Sequence, residues 1–263
     1  MGARIVCLCC MWLGAQPEAA PAELKKETVQ AFERYIRATE GRLEAQLRGG
    51  KNFLWVDEQA ERRQQVGQGQ IVIEGWNGKG QVRVQDGLIH DWIGGVFIPG
   101  TTLEKTLALV QNYDNHKKIY QPEVVDSKTL SHSGNDYKIY LRLLKKKILT
   151  VVLNTEHEVR YFPLDRTRCH SRSYSSRIAE VRNPGKPGEY ESPVGTGWGV
   201  LWRLYSYWRF QERDGGVYVE CEAISLTRNV PTGLGWLIEP IIRNLPRESL
   251  ANTLGATRGA LGK

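Results

Sequence analysis

The chain has 263 residues, 41% of them hydrophobic and 25% charged, which is ordinary for a folded protein and long enough to bury a core without metals or disulfides. Its formal charge of +7 favours acidic partners and does not by itself choose between anionic headgroups and nucleic acid. Eight Trp and eleven Tyr against five Phe weight the aromatics towards rings that suit sites apolar in body and polar at one end.

Residues 1–22 have the pattern of a signal peptide: MGAR supplies a positive charge, Ile5 to Ala15 forms an apolar run, and QPEAAPA ends in small residues. A run that short falls well below the roughly twenty residues that span a bilayer, so the expectation is a secreted or periplasmic protein. Removing it takes Cys7, Cys9 and Cys10 away and leaves Cys169 and Cys221 on separate predicted strands, a pair that allows a disulfide without indicating one.

Residues 23–80 read as an N-terminal extension packing outside a main domain. Phe32, Ile36, Leu43 and Leu47 mark an amphipathic helix over Leu24–Leu47, and FLWVDEQAERRQQ a shorter one. QIVIEGW and QVRVQ, separated by NGKG, read as a hairpin.

The main domain is assigned to residues 81–263. GLIHDWIGGVFIPG is an apolar strand ended by Pro99 and Gly100, and a helix capped by Thr101 or Thr102 follows to about Asn115. EVVDSKTL, YKIYLRLL, ILTVVLNTEHEVRYF, RCHSRSYSSRIAEV, WGVLWRLYSYWRFQ and GVYVECEAISLTR then read as six strands with short connections, hence an antiparallel meander.

The last two strands predict a register. Matching apolar residues across an Asp214–Gly215 turn sets Arg209 opposite Glu220 and Tyr207 opposite Glu222. One face then carries Val200, Trp202, Leu204, Trp208 and Phe210 with Val217, Val219, Cys221 and Ala223; the other is charged and aromatic. That second face reads either as a solvated ladder or as a polar wall orienting a ligand inside a cavity. The final segment carries Leu234, Leu237, Ile238, Ile241, Ile242 and Leu245, with Pro240 and Pro246 as interruptions, and then Leu250, Leu254 and Leu261. So broad an apolar surface needs a large curved sheet to cover it.

This order of strand, helix, six-strand meander and long C-terminal helix resembles the START-like (SRPBCC) superfamily. GLIHDWIGGVFIPG, VQNYDNHKKIYQPEV, VVLNTEHEVRY, LYSYWRFQERDGGVYVECEAISLTR and PTGLGWLIEPIIRNLPRESL resemble a group of uncharacterised bacterial START-like proteins with signal peptides. The resemblance implies an α+β helix-grip fold, a curved antiparallel sheet wrapped around a long C-terminal helix. It also implies a cavity between them, usually holding a lipid or other hydrophobic ligand.

Motifs of other chemistries are missing. There is no H-E-x-x-H, paired C-x-x-C or G-x-S-x-G, and no catalytic residue, metal ligand or cofactor is assigned. On a strand, Glu156 and Glu158 share a face that His157 does not, and His116 at a helix end reads as a cap. Gly195, Gly197 and Gly199 lack the context of a phosphate loop. The Lys145–Lys147 run reads as a solvated hairpin tip rather than a nucleic-acid site, and a basic surface would help a secreted lipid binder meet an anionic membrane.

The expected function is therefore binding, with transport as a further role, of a lipid or other hydrophobic small molecule. Trp202, Trp236, Ile238 and Ile241 are the candidate wall residues, and Tyr207, Arg209, Glu220 and Glu222 the candidate polar contacts. The alternatives are an enzyme acting on a bulky apolar substrate in the same cavity, and a filled-core protein that binds another protein through its exterior.

Overall fold

A computed structural model describes residues 22–49, 52–146, 150–230 and 235–262, apart from the side chains of Asn77 and residues 235–241. The six expected strands are all present: β5 (Val124–Ser133), β6 (Asp136–Lys146), β7 (Thr150–Pro163), β8 (Arg168–Arg182), β11 (Arg203–Arg213) and β12 (Gly216–Arg228). Each pairs antiparallel with the next, and β12 pairs in turn with β4 (Gly87–Pro99). The Asp214–Gly215 turn has both residues in the left-handed region, as a tight two-residue hairpin requires. It sets Arg209 opposite Glu220 and Tyr207 opposite Glu222, the register read from the alternation.

Two short strands sit in the loop after β8. β9 (Tyr190–Glu191) pairs with β8, and β10 (Thr196–Gly197) pairs with β1 (Ala22–Glu23). In GTGWG the backbone does form an anion cradle, but its occupant is internal: Glu180 accepts from the N–H groups of Trp198 (2.7 Å) and Gly199 (2.9 Å). A Cβ at Gly197 would come within 2.3 Å of that carboxylate.

Between β4 and β5 lie α3 (Leu103–Val110) and α4 (His116–Ile119) rather than one helix to Asn115. The Thr102 hydroxyl caps α3 by accepting from Lys105 N at 3.3 Å. His116 takes the capping part expected of it, with Nε2 3.0 Å from the Val110 carbonyl.

The C-terminal helix α5 (Gly235–Leu261) runs through Pro240 and Pro246 without a break. Each proline removes one backbone bond, a loss that packing offsets: Ile242, Leu250 and Leu254 are buried. Leu250 and Leu254 join Val96, Ile98, Val159, Phe210, Val217 and Val219 in the main core. The sheet thus grips the helix as expected.

The N-terminal extension is part of the same body. α1 (Lys26–Arg48) lays Phe32, Ile36 and Leu43 against Ile89, Tyr207, Ile224 and Leu226, on the sheet face away from α5. A short 3-10 turn (Trp55–Glu58) and α2 (Ala60–Gly67) continue this outer layer. β2 (Val72–Gly75) and β3 (Gln81–Val84) do not pair with each other, contrary to the hairpin expected around NGKG; both pair with β4, one after the other along the same edge. Gly94 and Gly95 let both layers close on β4. A Cβ at Gly94 would meet Leu254 of α5 at 3.0 Å, and one at Gly95 would meet Val56 of the outer layer at 2.8 Å.

Candidate functional site

Because side chains alternate along a strand, the inward residues of β8, β11 and β12 decide whether the space under α5 is filled. At one end of the grip, Cys169, Phe210 and Val219 lie side by side across three strands and close the core. Two rungs further along, Ser173 stands opposite Ser206 and Ser206 opposite Ala223. Three small side chains in a row cannot reach the helix. Together with Ser171 and Ser225 they form the floor of a cavity of about 260 Å3, close to the lower end of the range typical of small-molecule sites.

Its walls are mostly apolar: Val110, Ile139, Leu141, Leu143, Leu153, Val159, Leu204 and Trp208 from α3 and the sheet, with Leu245, Pro246 and Leu250 from α5. Polar groups gather at two places. Glu123, the residue before β5, pairs with Lys145 and accepts from Asn252 Nδ2 at 2.7 Å, while Lys145 also donates to Ser249 Oγ at 2.7 Å. This network ties α5 to the sheet. Burial alone would raise the Glu123 pKa, but Lys145, Asn252 and Ser249 hold it below the usual carboxylate range, so Glu123 is ionised at neutral pH.

The second polar group is aromatic. The hydroxyls of Tyr113 and Tyr161 are 2.8 Å apart, and the Tyr113 ring packs on His116, which in turn meets Tyr120 edge-on. Burial lowers the pKa of both His116 and His157 to about 4, so both are neutral at pH 7. Burial pushes Tyr120 up to about 12 and raises Tyr113 and Tyr161 as well. His157 Nε2 lies 3.0 Å from Thr155 Oγ1, whose own proton goes to the Leu141 carbonyl at 3.1 Å; Nε2 must then carry the proton of that bond. Away from the Glu123–Lys145 pair the cavity lining is therefore uncharged among the described residues.

The polar face of the β11–β12 hairpin is not in this cavity. Tyr207, Arg209, Glu220 and Glu222 point to the opposite side of the sheet, and they are not solvated there either, because the N-terminal layer buries all four. That layer also supplies their partners. The N–H groups of Trp55 and Val56 donate to Glu220 at 2.9 and 2.7 Å, Arg209 donates to the Phe53 carbonyl at 2.9 Å, Arg42 of α1 pairs with Glu222, and Tyr207 donates to Glu40 at 3.0 Å. Charge with so many fixed partners is structural. Trp202 is likewise packed in the outer cluster with Phe32 and Tyr207 and does not line the cavity. The side chains of Trp236, Ile238 and Ile241 lie outside the described residues.

The apolar face read from the last two strands supplies Val200, Leu204, Trp208, Phe210, Cys221 and Ala223 to the lining, though none was assigned to the site, and the serine floor was overlooked although one signal for it was present. In RCHSRSYSSRI every second residue from Cys169 to Ser175 is small, an alternation that marks the floor once its phase is known. Tyr113 and Tyr161 carried no such signal, since they meet only through the fold. Cys169 and Cys221 are buried and unbridged. Among the described residues no cluster of His, Cys, Asp and Glu could hold a metal ion, and no helix is long and apolar enough to cross a membrane.

No protein-family model and no curated protein matches the chain. Solved structures with a similar fold include a STAR-related lipid transfer protein fragment from Xanthomonas axonopodis, 15% identical, covering 70% of this chain and 99% of its own, with a TM-score of 0.47. A START superfamily protein from Mycobacterium smegmatis is 11% identical over 65% of this chain and 97% of its own, with a TM-score of 0.43. An aromatase/cyclase from Streptomyces sp. R1128 is 11% identical over 66% of this chain and 93% of its own, with a TM-score of 0.41. Independently of these likenesses, the strand order β4-β12-β11-β8-β7-β6-β5 closed over one long C-terminal helix is that of the START-like helix-grip fold.

Proposed function

We propose that the chain binds one hydrophobic small molecule, a lipid or a compound of similar apolar character, between the sheet and the 245–253 part of α5. The observation that carries this reading is the hollow itself: a floor of small side chains, apolar walls and about 260 Å3 of space in a core packed elsewhere. Removing apolar surface from water at roughly 25 cal/mol per Å2 supplies the affinity, and the ion pair of Glu123 and Lys145 lies where α5 would have to loosen for entry. An enzyme would need an acid and a base set against the substrate, but His116 and His157 are held by a backbone carbonyl and a threonine. The leader-like composition of residues 1–22 supports an extracytoplasmic site of action, which a secretion assay tests.

Filling the hollow tests the function. Ser206→Trp should leave the circular dichroism spectrum and cooperative melting in place while abolishing saturable binding of an environment-sensitive apolar dye. A folded variant that binds the dye as the native chain does would refute the cavity as the site.

A further inference from the structure

Within the reading of the cavity as a ligand site, its unused hydrogen-bonding capacity narrows the ligand. Tyr113 and Tyr161, both lining the cavity and each 5% exposed, share a single hydrogen bond of 2.8 Å. Two phenols carry two protons, and one mutual bond uses one of them. Whichever oxygen accepts, its own proton has no acceptor among the described residues. Leaving a buried donor unmet costs free energy, which a ligand oxygen placed there would recover.

The floor repeats the pattern. Tyr161 pairs across β7 and β8 with Ser171, and the next inward pair is Val159 with Ser173. Ser171, Ser173, Ser206 and Ser225 line the cavity, and none of their hydroxyls has a hydrogen-bond partner among the described residues. Ser127, Ser175 and Ser249, by contrast, are all engaged. A purely hydrocarbon ligand would leave this row of hydroxyls unmet.

Charge and size set further limits. Among the described residues Lys145 is the one cation of the lining, and it is already paired with Glu123, so a carboxylate at the tyrosine end would be buried without a counter-ion from them, at high cost. A cavity of about 150 Å3 takes benzene, so by proportion this one has room for roughly ten to twelve heavy atoms. That is too little for a two-chain lipid.

We propose that the cavity takes a compact, neutral, carbonyl-bearing compound whose carbonyl oxygen accepts the spare proton of the Tyr113–Tyr161 pair and whose remaining body lies over the serine floor.

The probes are α-tetralone and tetralin, which differ by one carbonyl, titrated calorimetrically into the full chain at pH 7. Tetralin is much the more hydrophobic, so a site without a donor would bind it more tightly. The expected result is that α-tetralone binds at least as tightly as tetralin, and that the double variant Tyr113→Phe with Tyr161→Phe weakens α-tetralone tenfold or more while leaving tetralin unchanged. Tyr113→Phe alone keeps one phenol proton and should retain the preference, which separates the hydrogen bond from lost packing. Native-chain binding of tetralin at least ten times tighter than α-tetralone would overturn the inference and leave the hydrophobic-site reading standing. So would a folded double variant that binds both as the native chain does. Binding of neither probe would overturn both.

Discussion

Asp91 offers a test of the outer layer that is independent of any ligand. It lies on β4, 1% exposed, and accepts from Tyr35 of α1 at 2.8 Å. Burial, reinforced by the neighbouring charge of Glu222, raises its pKa from 3.8 to about 8. The folded state therefore holds a proton that the unfolded chain releases near pH 4. Stability from this group is fully present below that pH and is lost as the pH rises towards 8. His90, His116, His157 and His170 have pKa values lowered to about 4; their linkage has the opposite sign and extends up through the unfolded value near 6.5, but it is common to the native chain and to a variant at position 91. Comparing the native chain with Asp91→Asn over a window from pH 6.5 to 8 isolates Asp91. At about 1.4 kcal/mol per pH unit for one proton, levelling off near the folded pKa, Asp91 alone should cost the native chain about 1.5–2 kcal/mol across it. Asp91→Asn keeps the shape and the bond from Tyr35 but cannot ionise. In urea melts the stability of the variant relative to the native chain should rise by about that amount between pH 6.5 and pH 8. Parallel stabilities across the window would refute the idea that α1 seals a protonated carboxyl against the sheet.

Two further substitutions separate core from cavity. Leu254→Ala removes a fully buried side chain that packs on Gly94 and should cost about 2–5 kcal/mol in urea unfolding; a loss below 1 kcal/mol would mean that α5 is not gripped as described. Tyr207→Phe deletes one hydrogen bond to Glu40 and should cost about 1 kcal/mol while leaving apolar-dye affinity within twofold. A tenfold loss of affinity with normal stability would return the polar face to the ligand site.

The alternation of the strands made most of this fold legible in advance. The same alternation set the β11–β12 register correctly, because one strand slip would have placed Val217, Val219 and Cys221 opposite charge. It could not say what covered the polar face. Glu220 and Glu222 looked like solvent or ligand contacts because their partners, the backbone of Trp55 and Val56 and the side chain of Arg42, lie more than a hundred residues away in a segment read as a satellite. The hairpin around NGKG failed for a related reason: turn chemistry showed that the chain reverses near there, but the free edge of β4 captured both strands. The cavity was implied by the resemblance alone, whereas its lining depended on residue size at inward positions, where serine was passed over as merely polar.

The central claim is that this grip is hollow and occupied by a single small apolar molecule in the working protein. Native mass spectrometry of the purified chain tests it most directly, first as isolated and then after exposure to an extract of the cells that produce it. The account predicts a stoichiometric adduct, released by organic solvent and lost in Ser206→Trp. A clean apo mass in both samples, from a chain that is folded, would contradict it.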